Sequence, residues 1–396
     1  MADINTVSSP RENSGNIVII GANEFQYPLI MKAKEMGFKT HVFAWAAGDV
    51  GESAADVFHP VSIVEKEQIL EICREIHPVA VVSIGSDLAA ITVQYLAERL
   101  GLNCNTAECV EVSTNKYSMR KALSAGGVRC PGFVRIQRGE DPGRCGELEF
   151  PVIVKPTDRS GSRGITRLES PHGLADALEV AWQNSFEHTA IVEEYIEGPE
   201  YSCECISFAG EHRFLQITKK YTTGDPHYIE TAQLEPADLS EEETERVKKE
   251  VFRALDALGI TDGASHSEFK MDCDREPRII EIGARMGGDC IGSDLVMLST
   301  GYDFVRMVIE VALGKPPRFE KTGTPAAAAI RFVFDEHDLD ILGRLEREHP
   351  EAIWRKSEIS DVRTGNVVDS SSRHGFYIVT ADSRDRVMQL AELRSE

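Results

Sequence analysis

Two glutamates, Glu268 and Glu281, stand in short apolar runs joined by a polar, turn-like segment from 272 to 277. In the first run His266, Glu268 and Lys270 alternate with Ser267, Phe269 and Met271, the period of a strand. In the second, strand alternation puts Ile279 and Glu281 on one face and Ile280 and Ile282 on the other. If Met271 and Arg278 close the hairpin, Glu268 falls directly opposite Glu281. Like charges facing each other across strands cost about 0.2–1 kcal/mol, and desolvation penalises a carboxylate inside an apolar strand further. A divalent cation removes both penalties, and hard carboxylate oxygens are what Mg²⁺ takes. A register slip would instead leave Glu268 on a solvent face, so the pair alone leaves both readings open.

Lys155 poses the same problem with the opposite sign. It closes the apolar run Val152-Ile153-Val154 and precedes Pro156, which holds the chain extended. An ammonium at a buried strand end needs an anion. The loop that follows, 158–164 (DRSGSRG), has glycines that let backbone N–H groups close around phosphate oxygens. A snorkelling lysine beside an ordinary turn is the plain alternative. The lysine precedes the glycines, so this is not a Walker A loop. Residues 193–200 (EEYIEGPE) place carboxylates around a strand that breaks at Gly198-Pro199, where free backbone groups can meet a base and a carboxylate can hold ribose hydroxyls. Just past Glu281, residues 283–289 (GARMGGD) bring Arg285 within reach of a phosphoryl group on the same ion. Gly287 and Gly288 there could offer free N–H groups to a developing oxyanion. Taken singly, these last two segments also read as an acidic turn and a surface arginine beside a flexible one.

Elements that could position these residues are visible along the chain. Residues 16–20 (NIVII), 39–44 and 79–84 read as buried strands alternating with helices, the pattern of a parallel sheet covered on both faces. The turn after the first strand has one glycine, Gly21, where a dinucleotide fingerprint needs three, which disfavours a dehydrogenase. Ser113 or Thr114 is expected to cap a helix through Lys116, Met119 and Leu123 that stops at Gly126-Gly127. Residues 151–155 and 190–196 read as strands, and 241–258 as a long helix opened by Ser240 and a run of glutamates. From about 325 onward short strands resume and the chain ends in a helix.

The formal net charge of −22, from 43 basic and 65 acidic residues, argues against nucleic acid or an anionic membrane as the main partner. No apolar run approaches the roughly 20 residues that span a bilayer. The nine cysteines include no C-x-x-C pair, so buried thiols in a reducing, cytoplasmic setting are the better reading than disulfides or a zinc site.

Taken in order, these pieces resemble the ATP-grasp superfamily over about residues 16–390. That superfamily includes biotin carboxylase, D-alanine–D-alanine ligase, carbamoyl phosphate synthetase and the L-amino-acid ligases. The resemblance implies phosphate-binding roles for Lys116 in STNK and Lys155 in VIVKP, with Ser160, Gly161, Ser162 and Gly164 closing over the triphosphate. It places adenine along Glu193, Glu194 and Ile196, and ribose on Glu200. Glu268 and Glu281 become ligands of Mg²⁺, with Mn²⁺ as an alternative ion. Arg285 and Lys155 are then the catalytic candidates. Many members carry asparagine two residues after the second metal glutamate, where this chain has Gly283. Amino-acid-ligase-like members, with E-x-x-x-R-x-G-G, are more similar here, and they suggest substrate roles for His227, Arg285, Gly287 and Gly288.

The fold implied is mixed α/β and α+β. It has a flexible leader (1–15), a Rossmann-like domain (16–112), a two-lobed ATP-grasp domain (113–320, lobes about 113–192 and 193–320) and a C-terminal α+β cap (321–396). The activity implied is ATP-dependent ligation of a small carboxylate to an amine through an acyl phosphate, with a homodimer as the assembly common among relatives. Carboxylation through carboxyphosphate, as in biotin carboxylase, is the alternative among enzymes; a non-catalytic nucleotide sensor is the alternative outside them. Substrate pockets in this superfamily draw on several loops, here those around Asn23, Glu24 and Asp87 and the 221–230 segment.

Overall fold

The computed structural model describes residues 15–161, 163–225, 228–365 and 367–394. The expected leader, Gly15 apart, lies outside the described residues, as do Ser162 and His227.

The first sheet contains β1 (Asn16–Ile20), β2 (Lys39–Phe43), β3 (Val57–His59) and β4 (Ala80–Val82), all parallel, in the order β3-β2-β1-β4. Its β-branched residues are buried on both faces. Ile17 and Ile19 pack with Leu29 and Ile30 of the Tyr27–Glu35 helix, and Val18 and Ile20 with Ile69 and Leu96 from helices on the other side. Strand order reverses between β1 and β4, and in such sheets a crevice opens at the carboxyl ends beside the reversal. Gly85, Ser86 and Asp87 follow β4 at that point.

The second sheet is small and antiparallel: β5 (Phe133–Gln137), β6 (Val152–Pro156), β7 (Thr166–Leu168) and β8 (Thr189–Glu194), in the order β5-β8-β6-β7. The Leu174–Asn184 helix covers it through Ala177, Leu178 and Ala181.

The third sheet has eight strands. These are β9 (Glu200–Phe208), β10 (Glu211–Thr222), β11 (Glu230–Glu235), β12 (Gly263–Met271), β13 (Pro277–Gly283), β14 (Ala327–Phe332), β15 (Ile353–Lys356) and β16 (Phe376–Ala381), in the order β13-β12-β9-β10-β11-β14-β16-β15. The C-terminal strands are thus hydrogen-bonded into the central sheet through β11 and β14. The Glu241–Ala257 helix, closed by a Ser240–Glu243 capping box, packs Val247, Val251 and Leu255 behind β9 and β12 with Tyr201 and Phe269.

Two local expectations change. The helix bearing Lys116 spans Lys116–Ala125, and its cap is Asn115, whose side chain accepts from the N–H groups of Tyr117 and Ser118. Ser113 and Thr114 instead end the preceding helix and bond back to Val110 O. The β12–β13 hairpin does pair Glu268 with Glu281, but not from the expected end, because Met271 pairs with Pro277 and Lys270 with Arg278. A β-bulge between Glu268 and Phe269 on the β12 side leaves Ile280 as the extra residue of β13 and shifts the register by one. Strict alternation would have put Ile279 and Glu281 on one face. The bulge buries both Ile279 and Ile282 in the core and turns Ile280 and Glu281 together to the opposite side.

Candidate active site

The carboxyl ends of the first sheet, the inner face of the second and strands β9–β13 enclose a cleft of about 400 Å³. One wall comes from the small sheet. Lys155 on β6 reaches across to Glu193 on β8, with Nζ 2.7 Å from Oε2. Arg120 takes the other side of the same carboxylate, Nε lying 2.7 Å from Oε1 and Nη2 donating to Oε2 at 3.2 Å. Arg120 is fully buried and Glu193 nearly so. Burial opposes ionisation of Glu193, but Arg120 and Lys155 outweigh it and hold the carboxyl below its ordinary range. Burial depresses Lys155, with Glu193 as its main counterweight. Sequence reasoning missed Arg120, although it lies one helical turn after Lys116 and so shares its face. Lys116 sits at the start of that helix, where its backbone N–H donates to Thr157 O. Its Nζ donates to Glu281 Oε1 and to Arg159 O, each at 2.8 Å.

The facing wall belongs to the large sheet and is built around Lys220 on β10. Its Nζ lies 2.6 Å from Glu268, 3.0 Å from Glu200 and 3.5 Å from Glu230. Burial alone would lower Lys220, but the three carboxylates raise it well above its ordinary value. Burial likewise opposes ionisation of Glu268, and Lys220 and His266 together hold it well below the carboxylate range. His266 has Nε2 3.3 Å from Glu268 Oε1, and its Nδ1 meets the buried carboxylate of Glu204. Burial pulls its pKa down, yet Glu204 dominates and pushes it up to about 9. Lys220 was not foreseen. In its strand it alternates with neighbouring residues like any surface lysine, and only the pairing of β10 with β9 and β11, and of β9 with β12, brings the carboxylates to it.

At the end of the cleft Arg285 is held by Asp87, with Nε–Oδ1 at 2.7 Å and Nη2–Oδ2 at 3.2 Å. At the opposite end Tyr195 carries the Arg167 guanidinium 4.2 Å from its ring centroid and the Lys270 ammonium 4.4 Å from it.

The expected site residues distribute unevenly over this geometry. Lys116, Lys155, Ser160, Gly161, Glu193, Glu194, Ile196, Glu200, Glu268, Glu281, Arg285 and Gly288 all line the cleft. Strand β8 ends at Glu194, so Ile196 lies beyond the strand expected to carry it. The Glu194 carboxylate accepts from the N–H groups of Gly132 and Glu149. Gly164, in the left-handed region at φ +68°, backs onto Asn184 and does not line the cleft. The Gly287 N–H is not the free donor expected; it donates to Glu204 Oε2 at 2.9 Å, and a Cβ there would lie 2.7 Å from Glu204 Oε1. Of the first-sheet residues considered for a substrate pocket, Asp87 lines the cleft while Asn23 and Glu24 do not.

Among the described residues no group of three or more His, Cys, Asp or Glu side chains could hold a metal ion by itself. Glu268 and Glu281 nonetheless fit Mg²⁺ in its phosphate-shared mode. They are directly opposed hard-oxygen donors, partly exposed to the cleft, and one or two carboxylates suffice when phosphates and water complete the shell. Each is balanced by a lysine, Lys220 or Lys116, so a bound ion would share or displace that partner.

Residues 148–294 match the ATP-grasp domain family, so the chain contains an ATP-grasp domain. It is similar to alanine–anticapsin ligase of Bacillus subtilis, 28% identical over 275 residues that span 61% of this chain and 58% of that one. It is also similar to y4rH of Sinorhizobium fredii, an uncharacterized protein, 27% identical over 330 residues covering 79% of this chain and 67% of that one. Among solved structures, the L-amino acid ligase from Bacillus licheniformis superposes with a TM-score of 0.80 over 96% of each chain at 24% identity, a likeness of fold. No described helix is long and apolar enough to cross a membrane.

Proposed function

We propose that this protein is an ADP-forming ligase that joins a small carboxylate, such as an amino acid, to an amine. The carboxylate takes the γ-phosphoryl group of ATP, and the amine then displaces phosphate from the acyl phosphate. What supports this reading most is the opposition of charge across one cleft: Lys116 and Lys155 on one wall, with Arg120 buried behind Glu193, and Glu268, Glu281, Glu200 and Glu230 on the other. A triphosphate fits the first wall and its counter-ions the second. In this reading Lys116 and Lys155 orient the phosphates, and the 158–164 loop excludes water above them. Arg285 faces the transferring group with a preorganised guanidinium. Glu268 and Glu281 would hold Mg²⁺, which when bound neutralises charge developing on the phosphates. The similarity to alanine–anticapsin ligase favours an amino acid as one substrate.

The test is ADP release with ATP and Mg²⁺ against amino acids singly and in pairs, with mass spectrometry of the products. Turnover that needs two substrates and yields their condensation product is the expected result. ADP release stimulated by bicarbonate with no amine present would replace ligation by carboxylation. ATP binding with no hydrolysis under any substrate would replace catalysis by sensing.

A further inference from the structure

Gly283 is the last residue of β13, two residues after Glu281. A Cβ built on it would lie 3.0 Å from Arg285 Nε, 3.1 Å from Arg285 Cζ and 3.0 Å from Asp87 Oδ1. The backbone there is not left-handed, so conformation does not demand glycine. The space beside the strand is already taken by an ion pair that comes from two different sheets.

Asp87 reaches that space because β4 ends at the reversal of strand order and, after four intervening residues, the Asp87–Leu100 helix begins. Ser86 caps the helix by accepting from Ala89 N–H, and a carboxylate in the first turn is favoured by the helix dipole. Both Asp87 oxygens are engaged by Arg285 in the fork-to-fork geometry that fixes a guanidinium plane as well as its place. Burial opposes ionisation of Asp87, and Arg285 outweighs it, so the carboxyl stays below its ordinary range. The remaining Nη1 of Arg285 donates to Met286 O at 3.2 Å, an oxygen that also accepts from Gly85 N–H at 3.2 Å. The guanidinium is therefore oriented largely from the segment after β4: Asp87 takes two of its nitrogens, and Gly85 shares the Met286 carbonyl with the third.

We propose that Asp87 is the positioning residue for Arg285, and that residue 283 is glycine because this pair fills the side-chain space. The proposal rests on Arg285 facing the phosphoryl group. It makes the docking of the first sheet onto the ATP-grasp core a condition of that arginine's geometry.

Five variants, read by turnover, ATP affinity and NMR, test it. Asp87→Ala should lower kcat for ADP release about tenfold or more, the scale of a misplaced catalytic group, while ATP affinity by calorimetry stays close to the parent's. Asp87→Glu should recover part of the loss. Gly283→Ala should lower kcat similarly with Asp87 intact, because its methyl displaces the pair. The double variant Asp87→Ala/Gly283→Ala should be little worse than either single one, as for residues acting on one interaction. An unchanged kcat in Asp87→Ala, or two losses that multiply, overturns the proposal. If the parent turns over no substrate pair, it is the functional reading that fails. The clamp is then read from the Arg285 Nε–H signal in ¹⁵N NMR, assigned by its loss in Arg285→Lys. A slowly exchanging signal in the parent, lost in both Asp87→Ala and Gly283→Ala, upholds it; exchange as fast as in free arginine overturns it.

Discussion

Lys155 and Lys220 are both nearly buried lysines on strands that face the same cleft, yet their surroundings are inverses of each other. Lys155 shares one carboxylate, Glu193, with a second cation, Arg120. Lys220 alone faces three carboxylates, with a fourth, Glu204, held through His266. The small-sheet wall therefore has cationic charge left over, and the large-sheet wall anionic charge. Neither residue type nor burial distinguishes the two lysines; the local count of opposite charges does. One wall suits phosphate and the other a divalent ion, and a nucleotide carrying its counter-ion satisfies both.

The largest effect should come from the anionic wall. Glu268→Gln or Glu281→Gln should cut ADP release by at least about 10²-fold, given that even groups supporting a metal ligand carry 10–100-fold effects. Circular dichroism should show the fold intact, and near-parental turnover would refute the metal assignment. On the cationic wall, Arg120→Met leaves Glu193 with one partner. Breaking a buried pair in this way should lower stability by about 3–5 kcal/mol, read from the urea midpoint.

Exchanging the tests between walls sharpens the contrast. In Lys155→Met, the thermal stabilisation conferred by tripolyphosphate should disappear. In Lys220→Met, tripolyphosphate should still stabilise, and Mg²⁺ alone should raise Tm more than in the parent, because the ion no longer competes with an ammonium for Glu268. Equal responses of the two variants would show that the walls are not specialised.

The smallest effect concerns Glu235, buried on β11, whose carboxylate accepts from the Thr218 and Ser299 hydroxyls. Burial pushes its carboxyl up to about 8, against which hydroxyl donors Ser299 and Thr218 count for less. A raised pKa in the folded state means that the fold binds this proton more tightly than the unfolded chain does. Its contribution to stability is full below the unfolded value, near 4.5, and is lost as pH rises through about 8. Glu235→Gln should flatten that decline across pH 5–8 in denaturation midpoints. An undiminished pH slope would contradict the assignment.

Much of this was legible in the chain. The strand period of HSEFKM put His266, Glu268 and Lys270 on one face, and the apolar run before Lys155 announced its burial. Strand–helix alternation disclosed the first sheet, because a parallel sheet needs apolar runs that nothing else explains. What stayed hidden arises from pairings distant in sequence. Lys220 looked like a surface lysine until β9 and β11 flanked its strand and β12 followed beyond β9, and Asp87 met Arg285 only through the packing of segments that follow two different sheets. The bulge at Ile280 was equally hidden, since the RIIEI run satisfies simple alternation as well as it does a register shift. The free N–H expected at Gly287 failed for a related reason: Glu204, which takes it, lies on another strand.

That bulge has a mechanical consequence. The carbonyl of Ile280, its extra residue, accepts from Arg120 Nη2, while the same guanidinium grips Glu193 on the small sheet. One guanidinium thus joins the large sheet to the small one, and Lys116, bonded to both Glu281 and Arg159 O, makes a second joint beside it.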